Sequence, residues 1–107
     1  MPKSLLSVSA IKDGTVIDHV APGAALQIVR LLDLPTGGNQ VTVGLNLKSK
    51  AQKQKDLIKV HGRELTEEEA NRVAILAPNA TINIIRNYDI VRKFQVNIPA
   101  SINHIII

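Results

Sequence analysis

Val41, Val43, Leu45 and Leu47 alternate strictly with Thr42, Gly44 and Asn46. Side chains along a β-strand point to opposite faces in turn. A period of two therefore gathers the four aliphatic residues on one face and leaves small or polar groups on the other. A strand of this kind belongs to a sheet that is covered on one side only. The rest of the chain must supply strands to pair with it and something apolar to cover it.

Both are legible. Thr15, Val16 and Ile17 follow an Asp13-Gly14 turn signal and form a strand that ends on Asp18-His19, a carboxylate beside an imidazole. Taken alone, that pair reads as the solvated end of a strand. Ala21-Pro22-Gly23 breaks the strand, and Ala25, Ile28, Val29 and Leu32 then recur on one face of a helix. The turn chemistry of Pro35, Gly37, Gly38 and Asn39 ends that segment. After the alternating strand comes a lysine-rich loop, read as solvated, and then a third strand over residues 55–61. There Lys55, Leu57 and Lys59 share one face, and Ile58 and Val60 the other. Thr66 and Glu69 have the spacing of a capping box, Leu65 can staple onto Ala70, and Ala70, Val73, Ala74 and Ala77 form a stripe of small residues before Pro78. The block Glu67, Glu68 and Glu69 is thus explained by the positive end of a helix. Residues 80–86 and 88–96 are the last two strands, joined by a tight turn at Asn87.

The order βαββαββ defines an α+β fold: a ferredoxin-like βαββαβ unit with an extra strand, giving a mainly antiparallel five-stranded sheet with two helices on one face. The chain of 107 residues fits one domain. Its hydrophobic residues make up 45% but its aromatics only 2%, so the core must be aliphatic. There is no cysteine, which removes disulfides, thiolate chemistry and cysteine-ligated zinc. No apolar run reaches the length of a membrane span and the N-terminus does not resemble a signal peptide, so a cytoplasmic protein is expected.

The uncovered face must carry the chemistry. The residues assigned to it are Asp18 or His19, Lys55, Lys59, Asn83 and Lys93. No nucleophile and base fall at a telling spacing. Gly37-Gly38 precedes a strand and not a helix, so it is no phosphate loop, and His19, His61 and His104 lack the spacing of a metal site. Cations and hydrogen-bonding groups without a reaction describe a binding site for an anion, compatible with the net charge of +4. Three classes of ligand compete: a mononucleotide, RNA, or an amino acid. RNA-binding sheets of this order stack bases on aromatics, which are missing here, and lysines favour phosphate over an amino acid.

Several stretches carry a resemblance. Residues 14–19, Val43-Gly44-Leu45-Asn46, residues 55–59, residues 77–83 and Asn87-Tyr88 together resemble, in order and along nearly the whole chain, the regulatory chain of aspartate carbamoyltransferase. The resemblance covers the N-terminal allosteric domain of that family, placed at 1–97. It implies a non-catalytic chain of pyrimidine biosynthesis that binds CTP or ATP, and UTP together with CTP, and pairs as a homodimer to regulate catalytic chains. By the same resemblance, Ala10, Ile11 and Tyr88, with Ile85 and Ile90 nearby, would surround the base. Asp18 and Lys59 would hold the sugar, and His19, Lys55, Asn83 and Lys93 would face the phosphates. Ser9 stands where the family commonly has an acid. The family continues into a zinc domain held by four cysteines; residues 98–107 are read as the start of the linker to it, and the sequence as given is expected to bind no zinc, nucleic acid or membrane. On a flat sheet, Asp18 and His19 would point to opposite faces, as would Ile90 and Lys93. Either the site wraps around an edge or end of the sheet, which is the expectation, or a bulge intervenes.

Overall fold

A computed structural model describes residues 10–50 and 53–95 of the chain. The elements follow the order β1 (Gly14–Val20), α1 (Ala25–Leu31), β2 (Val41–Lys48), β3 (Gln54–His61), α2 (Glu67–Leu76), β4 (Thr81–Arg86) and β5 (Asp89–Gln95), with a short 3-10 turn at Leu34–Gly37. The five strands form one sheet in the order β2-β3-β1-β4-β5, and every neighbouring pair is antiparallel. This is the expected α+β arrangement, with β1 in the centre and β2 and β5 at the margins.

One face of the sheet is covered. Ile17 of β1, Ile58 and Val60 of β3, and Ile82 and Ile84 of β4 meet Ala25 and Ile28 of α1 and Ala70, Val73 and Ala74 of α2 in one aliphatic cluster. Ala77 completes the small-residue stripe, and Leu32, Leu34 and Leu65 close the margins. The capping box of α2 forms: the Thr66 hydroxyl accepts the Glu69 N–H at 3.1 Å, and Glu69 Oε1 accepts the Thr66 N–H at 3.0 Å. Thr15, fully buried, donates its hydroxyl to the Arg63 carbonyl at 2.7 Å and accepts the Leu65 N–H at 3.0 Å, tying the entry of α2 to the middle strand.

The sheet departs from plain alternation at three places, and each departure reassigns side chains to the open face. In β2 the register against β3 shifts between Gly44 and Leu47, so Leu45 and Asn46 together stand opposite Asp56. Asn46 takes a left-handed φ of 57° and donates its N–H to Asp56 Oδ1 at 3.0 Å. The extra residue reverses the alternation beyond it. Leu47 crosses to the open face and packs with Ile11, Val16, Leu57 and Ile85, while Leu45 is left 46% exposed. The four aliphatic residues of residues 41–47 therefore do not share one face. Only Val41 and Val43 pack against the helix-side core. Gly44 leaves room for the Leu47 side chain, whose Cδ1 would stand 2.8 Å from a Cβ at that position.

In β1 the register against β3 shifts between Ile17 and Val20, so Asp18 and His19 together oppose Leu57, with His19 at a left-handed φ of 56°. In β5 the pairs run Ile84 to Arg92 and then Ile85 to Ile90, which leaves Val91 as the extra residue.

A binding cleft on the open face

The polar residues of the open face fall into rows across the strands. Val16 stands beside Lys59 on β3 and Asn83 on β4, and Asn83 beside Lys93 on β5. Two residues further along, Asp18 stands beside Thr81; two residues back, Ile85 stands beside Ile90. Without the bulge at Val91, Ile90 and Lys93 would point to opposite faces. With it, both are partners of residues on one face of β4, Ile85 and Asn83. The bulge at Asp18-His19 does the same for that pair. The expectation of a site wrapped around an edge or end of the sheet is thus corrected: β1 is the central strand, and bulges bring both pairs to one face.

The result is a cleft of about 400 Å³ lined by Ala10, Ile11, Val16, Asp18, His19, Thr81, Asn83, Ile85, Tyr88, Ile90 and Lys93. That is within the usual size of a small-ligand pocket. The cleft is graded along the strands. Ile11, Ile85, Tyr88 and Ile90 form an apolar end near the β4–β5 hairpin. Asn83 and Lys93 lie midway, and Asp18, His19 and Thr81 form a polar end. Ile85 to Thr81 is four residues of strand, about 13 Å at the usual rise.

The polar groups are held differently. Asn83, 8% exposed, donates its Nδ2 to the Val16 carbonyl at 3.2 Å, which fixes its amide between β1 and β4. Asp18 Oδ1 accepts the His19 N–H at 2.7 Å and the Lys55 ammonium at 2.8 Å. Lys93 takes part in no ion pair among the described residues. Lys59, beside Val16, has its ammonium held below the ordinary lysine value by partial burial.

Of the residues singled out in the sequence, Ala10, Ile11, Asp18, His19, Asn83, Ile85, Tyr88, Ile90 and Lys93 meet around the cleft. Lys55 and Lys59 lie on the same face of β3 but outside its lining; Lys55 reaches it through Asp18. Ser9 is outside the described residues. Val16 and Thr81 line the cleft and were not singled out. The alternation that places Asn83 on this face also places Thr81, and would have found it.

A second hollow of about 290 Å³ on the helix side is bordered by Glu64, Leu65, Ile84, Arg86, Val91, Arg92 and Phe94. Its cations are already engaged. Arg86 is held by both Glu64 oxygens at 2.6 and 2.8 Å, and Arg92 lies 4.5 Å over the Phe94 ring. Lys93, which makes no ion pair among the described residues, is on the other face.

A one-sided antiparallel sheet with a graded polar cleft on its open face defines a small α+β domain with a candidate ligand site. Comparison with known proteins places it further. Residues 6–97 match the family described as the aspartate carbamoyltransferase regulatory chain, allosteric domain. The chain is 50% identical over 103 residues to the aspartate carbamoyltransferase regulatory chain of Pyrococcus abyssi, covering 94% of this chain and 68% of that one. It is 48% identical over 99 residues to the regulatory chain of Chromobacterium violaceum, covering 92% and 65%, and 48% identical over 94 residues to that of Methanopyrus kandleri, covering 88% and 60%. The chain belongs to the family of aspartate carbamoyltransferase regulatory chains, and is a regulatory, non-catalytic chain. It spans about two-thirds of the length of these relatives.

Proposed function

We propose that the cleft is the nucleotide-sensing site of this regulatory chain, that it binds CTP and ATP in competition and takes UTP together with CTP, and that the chain acts on catalytic chains of aspartate carbamoyltransferase in pyrimidine biosynthesis. The observation that carries the reading is the grading of the cleft. A nucleotide is a long molecule with an apolar, aromatic end and an anionic end, and the cleft presents aliphatic side chains at one end and the Lys93 ammonium and His19 imidazole further along. Tyr88 and the backbone near Ala10 and Ile11 would meet the base at the apolar end; the roles of Asp18 at the sugar and of His19, Asn83 and Lys93 at the phosphates rest on the family resemblance, because the grading alone sets Asp18 at the polar end beside His19. From the neighbouring strand, outside the lining, Lys59 beside Val16 is assigned to the sugar and Lys55 to the phosphates. Lysine suits a triphosphate as a compact point charge. Base contacts made by backbone groups suit a site that accepts both a purine and a pyrimidine.

The RNA reading is weaker than the sequence alone made it. Phe94 packs against the helix-side core, so Tyr88 is left as the aromatic of the open face. One ring is not a stacking platform.

Titration calorimetry of CTP and of cytidine against Lys93→Ala and Lys59→Ala tests the assignment. Loss of Lys93 weakens CTP by about ten- to a hundredfold, the size of a charge-assisted hydrogen bond, and leaves cytidine nearly unchanged. Loss of Lys59 weakens both ligands alike. Equal effects of the two substitutions on both ligands would refute the roles.

A further inference from the structure

Asp13 reads in the sequence as half of a turn signal. In the structure its carboxylate Oδ1 accepts the Asn87 N–H at 2.9 Å, its carbonyl accepts the Gly62 N–H at 2.8 Å, and the carbonyl of its neighbour Lys12 accepts the Tyr88 N–H at 2.8 Å. Asn87 and Tyr88 are consecutive left-handed residues, at φ 52° and 69°, the pair that closes the β4–β5 hairpin. A turn of two such non-glycine residues is held in place by what binds its amides, and both amides are bound by residues 12 and 13.

Those bonds join the two sides of the apolar end of the cleft. Ala10 and Ile11 lie immediately before them in the chain, and Tyr88 and Ile90 immediately at and after them. Asp13 itself does not line the cleft. We infer that Asp13 is a positioning residue: it clamps the hairpin turn against residues 10–12 and so sets the width of the slot that receives the nucleotide base. This rests on the nucleotide reading above. Its consequence is selective. The clamp acts at the base end, about four strand residues from the polar end, so it governs the hold on the base and not the hold on phosphate.

The experiment is calorimetric titration of the full chain and of its Asp13→Ala and Asp13→Asn variants, each with CTP and with inorganic tripolyphosphate, beside amide hydrogen exchange at Asn87. Asn keeps an acceptor oxygen where Asp13 Oδ1 stands, and Ala removes it. Asp13→Ala is expected to weaken CTP at least about tenfold, to leave tripolyphosphate within about twofold, and to speed exchange at the Asn87 amide. Asp13→Asn is expected to behave as the wild type in all three readouts. The proposal is overturned if Asp13→Ala binds CTP as tightly as the wild type, if it loses both ligands alike, or if Asp13→Asn fails to restore CTP binding. A wild-type chain that takes tripolyphosphate and not CTP overturns the nucleotide reading itself, and the base-slot role with it. A wild type that binds CTP, with Asp13→Ala unaffected, overturns the clamp alone.

Discussion

Asp56 is a fully buried carboxylate in an aliphatic core, and its three backbone partners explain why it is there. It accepts the N–H groups of Gly23 at 2.8 Å, Ala25 at 3.3 Å and Asn46 at 3.0 Å. Two of these donors belong to the entry of α1 and one to the bulge of β2, so a single side chain holds a helix and an edge strand to β3. An unpaired buried donor costs about 1–3 kcal/mol. Asp56→Ala leaves the buried Ala25 amide without its partner, while the Gly23 and Asn46 amides belong to exposed residues that water can reach, so a loss of about 1–3 kcal/mol is expected, read as a lower urea midpoint at unchanged slope. A variant within about 1 kcal/mol of the wild type would show that solvent or a shifted backbone satisfies the Ala25 amide as well. The sequence disclosed Asp56 only as the acid that interrupts a run of lysines. Its task depends on donors ten and more residues away, which no local pattern reveals. Lys55, its neighbour, faces the other way and pairs with Asp18, so adjacent residues of β3 serve the core and the cleft separately.

At the scale of elements, the order of strands and helices was legible because each is amphipathic on its own, and the capping box and stripe of α2 followed from residues within a few positions of one another. The bulges of β1 and β5 were legible only as the less favoured way to bring Asp18 with His19, and Ile90 with Lys93, to one face. A bulge is a mismatch between two strands, and its signal is divided between them. The alternation of residues 41–47 even argued against one. Yet the bulges decide which polar residues share the cleft. Val91 makes this testable. Its removal from β5 would leave Ile90 and Lys93 two positions apart on a regular strand, hence still on one face. The variant lacking Val91 is expected to fold and to bind CTP within the tenfold that about 1.4 kcal/mol represents. A variant that folds and has lost CTP binding by more than that would show that the local twist of the bulge, and not merely the face it selects, builds the site.

At the scale of the whole molecule, the two faces have different tasks. The helix side carries the apolar core and, around it, acids and arginines largely engaged with one another, such as Arg63 with Glu69 and Arg86 with Glu64. The open side carries the cleft with Lys55, Lys59 and Lys93. β2 lies at the margin of the sheet, as pairing between two copies would require, and we propose a homodimer that pairs along this edge, Val41 to Leu47. Light scattering over a dilution series should give a dimer mass that falls only at high dilution; a monomer mass at every concentration would exclude the pairing. The central claim is narrower than assembly: one cleft on the open face senses more than one nucleoside triphosphate. The most direct measurement is titration of CTP into the chain with and without saturating ATP. One shared site predicts that ATP raises the apparent CTP dissociation constant by a factor of one plus the ratio of free ATP to its own Kd, so that CTP binding weakens without limit as ATP is raised. Undiminished, additive binding of the two nucleotides, or no binding of either by the folded chain, would contradict it.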